Sequence, residues 1–146
     1  MIVSAVVRED IPALWHIIEP MLEQALEYSP ERFDTVDIYA DLLTSKLSLW
    51  IAIEDEEIVS CAVIRIYDTP LTRVLSLDYL AGKDMESWLN EGHETINRYA
   101  YDNKCRRMEC RGRPGWSKPL KGLGWEAVAV CYERAVTVPE TVKDES

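Results

Sequence analysis

The chain has 146 residues, 47% of them hydrophobic, and a formal net charge of −10 at pH 7. That describes one domain with enough apolar residues for a core of its own, without disulfide or metal support. No apolar run reaches the ~20 residues of a membrane span. The opening MIVSAVVRED lacks the basic region and cleavage site of a signal peptide, so the expected location is the cytoplasm. So acidic a chain also excludes wholesale wrapping by DNA or RNA, whose phosphates need a basic surface.

Residues 2–7 are β-rich and end at the polar break Arg8-Glu9-Asp10, which predicts a first strand. Asp10 is a candidate N-cap, with Pro12 in the first turn. Ile11, Leu14, Trp15, Ile18, Leu22, Ala25 and Leu26 recur at helical spacing and predict an amphipathic helix to about Tyr28. Pro20 should kink that helix and Ser29-Pro30 should end it. Asp34 or Thr35 caps a second helix through Val36, Tyr39, Leu42 and Leu43. Next, LSLWIAIE and IVSCAVIRIY, separated by the acidic turn Asp55-Glu56-Glu57, read as a hairpin.

Thr69-Pro70 breaks the chain, and residues 73–81 (RVLSLDYLA) form a fourth strand. After Gly82, Asp84 caps a long helix with Met85, Leu89, Gly92, Ile96, Tyr99 and Ala100 on one stripe. Gly92 costs of order 1 kcal/mol relative to alanine there, which close packing against the sheet would explain. Residues 106–111 are a fifth strand, followed by a Gly/Pro turn, a short helix and a final strand over 127–136. The tail, 137–146, is polar and expected to be loose. The order is β-α-α-β-β-β-α-β-α-β, an α/β (α+β) domain over 1–136 with a mixed central sheet and helices on both faces.

Charge is distributed unevenly. Between Lys104 and Trp125 (KCRRMECRGRPGWSKPLKGLGW) seven basic residues face one acid, Glu109, a net of +6 that leaves −16 for the remainder. An acidic chain that gathers its cations at one strand end offers a place for an anion. The four cysteines, Cys61, Cys105, Cys110 and Cys131, form no CxxC pair, and only His16 and His93 are available to join them; reduced thiols packed as small hydrophobes are expected, with no metal site. His93 falls off the apolar stripe and reads as solvent-facing. Trp15 and Trp50 match core positions, and Trp116 reads as the anchor of the turn.

This order and length resemble the GNAT (GCN5-related N-acetyltransferase) fold, with Gly124-Trp125 in place of the Gly-Phe-like pair that precedes that family's last strand. DYLAGKDMESWL together with GRPGW and GLGW further resembles a short GNAT-like branch met in bacteriophages and prophages, which extends the expected location to host cytoplasm or virion. The resemblance implies acetyl-CoA or another acyl-CoA as cofactor, lying in a cleft where the fourth and fifth strands splay. It assigns Tyr79, Leu80, Ala81, Gly82 and Lys83, at the end of strand four, to the cofactor, with Arg111 and Arg113 of the basic stretch as phosphate partners. Where the family wraps pyrophosphate with an Arg/Gln-x-x-Gly-x-Gly/Ala run, this chain has one glycine, Gly82, and Asp84 and Glu86 oppose a polyanion beside it. Where many members carry a tyrosine acid in the closing helix, Leu120 stands here and Ser117 is the nearest hydroxyl.

Acyl transfer needs a polarised thioester carbonyl and an amine that gives up a proton. Strand alternation puts Ser76, Asp78 and Leu80 on one face of strand four, against Leu75, Leu77 and Tyr79; on strand five Arg107, Glu109 and Arg111 oppose Met108 and Cys110. Asp78 and Glu109 are therefore the candidate bases, with Ser117 as the third catalytic candidate. Each has a plainer reading: an ion pair with arginine for Glu109, a cap for Ser117 and an ordinary strand carboxylate for Asp78. The resemblance implies an N-acyltransferase acting by direct attack of an amine. The alternative is an inactive GNAT-fold protein, a phage-type structural component or host-protein binder. Nucleic-acid contact through the basic stretch ranks third, because no reading motif accompanies it.

Overall fold

A computed structural model describes residues 1–27, 32–83, 85–112 and 114–143. Five strands form one sheet in the order β1 (Ile2–Val6), β2 (Ser48–Glu54), β3 (Glu57–Asp68), β4 (Arg73–Gly82) and β5 (Arg107–Cys110). The first four are antiparallel neighbours, and β5 joins β4 in parallel. The β2–β3 hairpin turns at Asp55 and Glu56, both with positive φ. That is the primed turn geometry whose twist suits a tight hairpin.

Helices α1 (Ile11–Leu26) and α2 (Thr35–Leu43) cover one face. Ile11, Ile18 and Leu22 of α1 and Ile38 and Leu42 of α2 bury against Leu49, Ile51, Cys61, Val63 and Ala81. Helix α3 (Met85–Asp102) covers the other face, where Trp88, Ile96 and Ala100 meet Trp50, Ala62, Ile64, Leu75, Leu77 and Leu80. The short helix α4 (Ser117–Gly122) closes that side through Leu120, with Leu123 just after its end. The expected mixed sheet with helices on both faces is thus the observed architecture.

Local chemistry accounts for the element ends. Asp34 starts α2 with a full capping box: its side chain accepts from the Asp37 N–H at 3.1 Å while Asp37 accepts from the Asp34 N–H at 3.0 Å. Asp10 does not act as the expected cap. Residues Arg8–Asp10 make a 3-10 turn that leads into α1, and the Asp10 side chain makes no capping bond. Helix α1 continues through Pro20. The expected stop at Ser29-Pro30 and the expected Asp84 cap lie outside the described residues. Gly92 is where α3 crosses β1: a Cβ there would stand 3.2 Å from Val3 Cγ2 and 3.4 Å from the Trp88 ring. Trp88, fully buried, belongs to the stripe that the sequence reading drew without it.

The sheet does not close as expected. Residues 127–136 carry no ladder; the chain from 126 to 139 has neither helix nor strand pairing, and a single helical turn, α5 (Glu140–Lys143), follows within the expected loose tail. Alternation and β-propensity favour an extended backbone, but a strand exists only where a neighbour meets its N–H and C=O groups.

Candidate functional site

The site lies where β4 and β5 part. β5 pairs with Val74, Ser76 and their neighbours only as far as Leu77, opposite Cys110, whereas β4 runs on to Gly82. From Asp78 to Gly82 the β5-side edge of β4 is therefore open. The end of β5 follows from its turn: Trp116 lies on Gly112, where a Cβ would come within 3.1 Å of the indole, so the chain folds away after Cys110. Trp116 is half-buried against the α3-side core, as an anchor of that turn.

β4 also carries a bulge. Val63 pairs with Tyr79 but Ile64 pairs with Leu77, which leaves Asp78 as the extra residue. A bulge shifts the two-residue alternation by one place. Leu75, Leu77 and Leu80 consequently all face the α3-side core, and Tyr79 and Ala81 face the α1/α2 side. This corrects the sequence reading, which put Leu80 with Ser76 and Asp78, and Tyr79 with Leu75 and Leu77.

Around the bulge the structure assembles a polar chain. Asp78 accepts from Arg65 Nε at 3.0 Å and from the Ser76 hydroxyl at 2.6 Å. The Arg65 guanidinium sits 4.7 Å from the Tyr67 ring centroid, and the Tyr67 hydroxyl donates to Glu109 at 2.6 Å. Ser76 and Glu109 are themselves opposite each other in the β4–β5 ladder. Both candidate carboxylates thus stand on one face, joined through Arg65 and Tyr67. The Glu109 hydrogen bond, and then partial burial, push the Tyr67 phenol above its ordinary range. The hydrogen bond to Asp78 holds Arg65 more firmly protonated.

Arg65 and Tyr67 were missed in the sequence. Their signal was there: in IVSCAVIRIY a cation and a phenol occupy alternate positions of an otherwise apolar strand, while Ile64 and Ile66 go to the core. The ion-pair reading of Glu109 also changes, since its hydrogen-bond partner is Tyr67 and the arginine pair belongs to Asp78.

The remaining candidates separate. Ser117 is exposed at the first position of α4 and makes no capping bond or hydrogen bond to either carboxylate. Gly82 has φ +118° and packs against the backbone of Val59 and Ser60, and the Lys83 N–H donates to Val59 O at 2.8 Å. Gly82 and the exposed Lys83 line a cavity of ≈180 Å³ with Pro20, Met21 and Gln24 of α1, just before α3 begins. Tyr79 is partly buried, and that burial raises its phenol pKa. Arg111 is exposed, with Nη2 3.8 Å from Cys131 Sγ; Arg113 lies outside the described residues. A second groove, of ≈530 Å³, runs between α3 and α4 past Asn90, Lys118, Pro119 and Leu123. His93, expected to face solvent, is instead half-buried and accepts a hydrogen bond from Trp125 Nε1 at 3.0 Å. Among the described residues no three His, Cys, Asp or Glu side chains gather as a metal site, and no helix is long and apolar enough to cross a membrane.

No protein-family model and no curated protein matches the sequence. Solved structures do match by shape. A probable acetyltransferase aligns with TM-score 0.71 over 96% of this chain and 99% of its own, at 12% identity. An aminoglycoside acetyltransferase from an uncultured soil metagenomic sample, solved with sisomicin, aligns with TM-score 0.65 over 93% and 96% of the two chains at 11% identity. A ribosomal-protein-alanine N-acetyltransferase from Brucella melitensis biovar Abortus 2308 gives TM-score 0.62 over 94% and 99% at 12% identity. At such identities the likeness speaks for the fold alone: a single α+β domain on a five-stranded mixed sheet, consistent with the GNAT fold.

Proposed function

We propose that this protein is an acyl-CoA-dependent N-acyltransferase. The observation that carries the reading is the open, bulged edge of β4 from Asp78 to Gly82, left unpaired because β5 stops at Cys110. An exposed strand edge presents N–H and C=O groups to an extended amide-bearing ligand, and the pantetheine arm of acyl-CoA is such a ligand. Lys83 and the start of α3 lie at the end of that edge, where the pyrophosphate would meet a cation and helix N–H groups. Tyr79, Leu80, Ala81 and Gly82 supply the edge itself, and Arg111 and Arg113 of the basic stretch are the proposed phosphate partners. The likeness of DYLAGKDMESWL, GRPGW and GLGW to a short phage and prophage branch belongs to the same proposal.

In this reading the acceptor amine attacks the thioester carbonyl carbon. A C–N bond forms, the C–S bond breaks, and the thiolate leaves and is protonated from solvent. Glu109, exposed and hydrogen-bonded to Tyr67, takes the proton the amine releases, directly or through one water. Asp78, fixed by Arg65 and Ser76, holds the bulge whose N–H groups polarise the carbonyl. Ser117 has no part in this scheme, since nothing joins it to either carboxylate.

Calorimetric titration with acetyl-CoA tests the proposal. Heat of binding at one site is expected, with a rise in melting temperature of a few degrees, because a ligand at ten times its Kd stabilises the fold by about 1.4 kcal/mol. Absence of both heat and shift at millimolar acetyl-CoA would remove the acyltransferase reading.

A further inference from the structure

We infer, resting on the acyltransferase reading, that the acceptor is a small amine that also carries an anionic group, a carboxylate or a phosphate, and that Arg107 selects it. Helices α1 and α2 bury Leu49, Ile51, Cys61, Val63 and Ala81 on their face of the sheet. Beyond that core, β3, β4 and β5 present two cross-strand rows on the same face. Arg65, Ser76 and Glu109 stand opposite one another in the ladders, and Tyr67, Val74 and Arg107 make the next row. Met108 and Cys110 pack on the α3-side core, so Arg107 and Glu109 both point the other way, and both are exposed.

The charges on this floor are answered unevenly. Glu109 does not pair with Arg107, its neighbour two residues away on the same strand face. It reaches across β4 instead and accepts from the Tyr67 hydroxyl at 2.6 Å. Asp78 holds Arg65 at 3.0 Å and takes the Ser76 hydroxyl as well. Among the described residues the Arg107 guanidinium alone on this floor has neither ion pair nor hydrogen bond. The site therefore sets a carboxylate and an unanswered guanidinium side by side, about 6–7 Å apart along one strand.

Their order along the strand gives each a part. The open edge of β4 begins at Asp78, past the Leu77–Cys110 pair, whereas Arg107 lies opposite Val74 at the far end of β5. An amine placed between Glu109 and the open edge thus has Arg107 behind it, where the rest of the acceptor must lie. A guanidinium fork binds a carboxylate or a phosphate through paired N–H bonds. A second ammonium there would meet Arg107 with Asp78 and Glu109 already engaged, like charge against like charge. The amine nitrogen still forms the C–N bond and yields its proton to Glu109; the anionic group takes no part in the bond changes.

The test sets γ-aminobutyrate and aminopropyl phosphate against propylamine and cadaverine, with the full chain throughout. Binding is read first, because it needs no turnover: the backbone amide resonances of 107–110 should shift saturably with the two acids, remain in place with the two plain amines, and stop responding in Arg107→Gln. Transfer from acetyl-CoA is read second. The acids should give the higher kcat/KM, and the better of the two identifies the anion as carboxylate or phosphate. Arg107→Gln should cut their advantage over propylamine by roughly ten- to hundredfold, the worth of a charge-assisted pair. Arg98→Gln, on α3 at the other face of the sheet and bonded to Asp102, should keep it. Resonances unmoved by either acid, plain amines used as well as the acids, or a preference that survives Arg107→Gln would each overturn the inference. Saturable, Arg107-dependent shifts without any transfer would uphold the anion site and remove the acyltransferase reading instead.

Discussion

Replacing Gly82 by alanine probes how β4 hands over to α3. The φ of +118° lies where L side chains are rarely found, and an added Cβ would stand 2.5 Å from both Ser60 Cα and Val59 O. Those are backbone atoms of β3, held by the Ser60–Gly82 pairing and by the Lys83 N–H bond to Val59, so no side-chain rotation relieves the clash. Backbone strain of this kind costs of order 1–3 kcal/mol, and forcing a methyl into filled space adds about 1–3 kcal/mol. Together that is roughly 2–6 kcal/mol against a total stability of about 5–15 kcal/mol. For a domain of this size the melting temperature should fall by roughly 5–20 °C. Gly115→Ala is the control, because no atom lies within 4 Å of its added Cβ; its effect should stay within about 0.5 kcal/mol. Thermal unfolding of the three proteins, followed by far-ultraviolet circular dichroism at matched concentration, decides. If Gly82→Ala melts within about 2 °C of the parent, the chain does not cross β3 as closely as described, and the route from the open β4 edge into α3 fails with it.

Tyr67 supplies a pH signature. Its phenol is held above the ordinary range first by the hydrogen bond to Glu109 and then by burial, so the folded chain keeps the proton longer than the unfolded one. That contribution is whole below the ordinary phenol range and is lost as pH rises through the Tyr67 value. Glu109→Ala should lower the Tyr67 titration seen by NMR of the ring carbons, and an unmoved titration would refute the contact. The thiols should modify in order of exposure: Cys131 first, Cys105 and Cys110 later, and Cys61, pushed up to about 12 by burial, only on unfolding. Early labelling of Cys61 under native conditions, read by mass spectrometry, would contradict the packing under α1 and α2. Trp116→Ala should cost about 2 kcal/mol, less than the loss at a fully buried aromatic, and should weaken acetyl-CoA binding by loosening the turn after β5. Equal melting temperature and equal binding in that variant would separate Trp116 from the cleft.

Most elements were legible because their signals are local. The capping box at Asp34, the acidic turn at Asp55-Glu56, the helical stripe through Leu22 and the break at Thr69-Pro70 each act within a few residues, and each fixes an element near its expected place. Asp10 shows the limit of that logic. It is a good cap by type, but a preceding 3-10 turn had already set its backbone in the helical region. The closing strand shows a larger limit, because the sequence of 127–136 specifies an extended backbone and nothing within it names the neighbour. His93 was misread for a similar reason. Off its own stripe it looks solvated, yet Trp125, thirty-two residues on, reaches it across the α3–α4 contact.

The bulge at Asp78 decides more about the site than any residue type does. Had β4 kept strict alternation through its length, Leu80 would point out beside Asp78 and Tyr79 would enter the α3-side core. One extra residue reverses that: Leu80 goes inward, Tyr79 turns to the α1/α2 side, and Asp78 is left at the irregularity with Arg65 and Ser76 around it. The same irregularity falls at the point where β5 gives out, one residue beyond the Leu77–Cys110 pair. A bulge bends its strand and increases the local twist, so the displaced residue sits where the turn at Gly112 also takes β5 away from β4. The open edge and the polar chain through Arg65 and Tyr67 therefore meet at one place, the edge set by the turn after β5 and the polar chain by the register shift. That shift leaves no mark in RVLSLDYLA, where the apolar and polar residues fit an unbroken strand equally well.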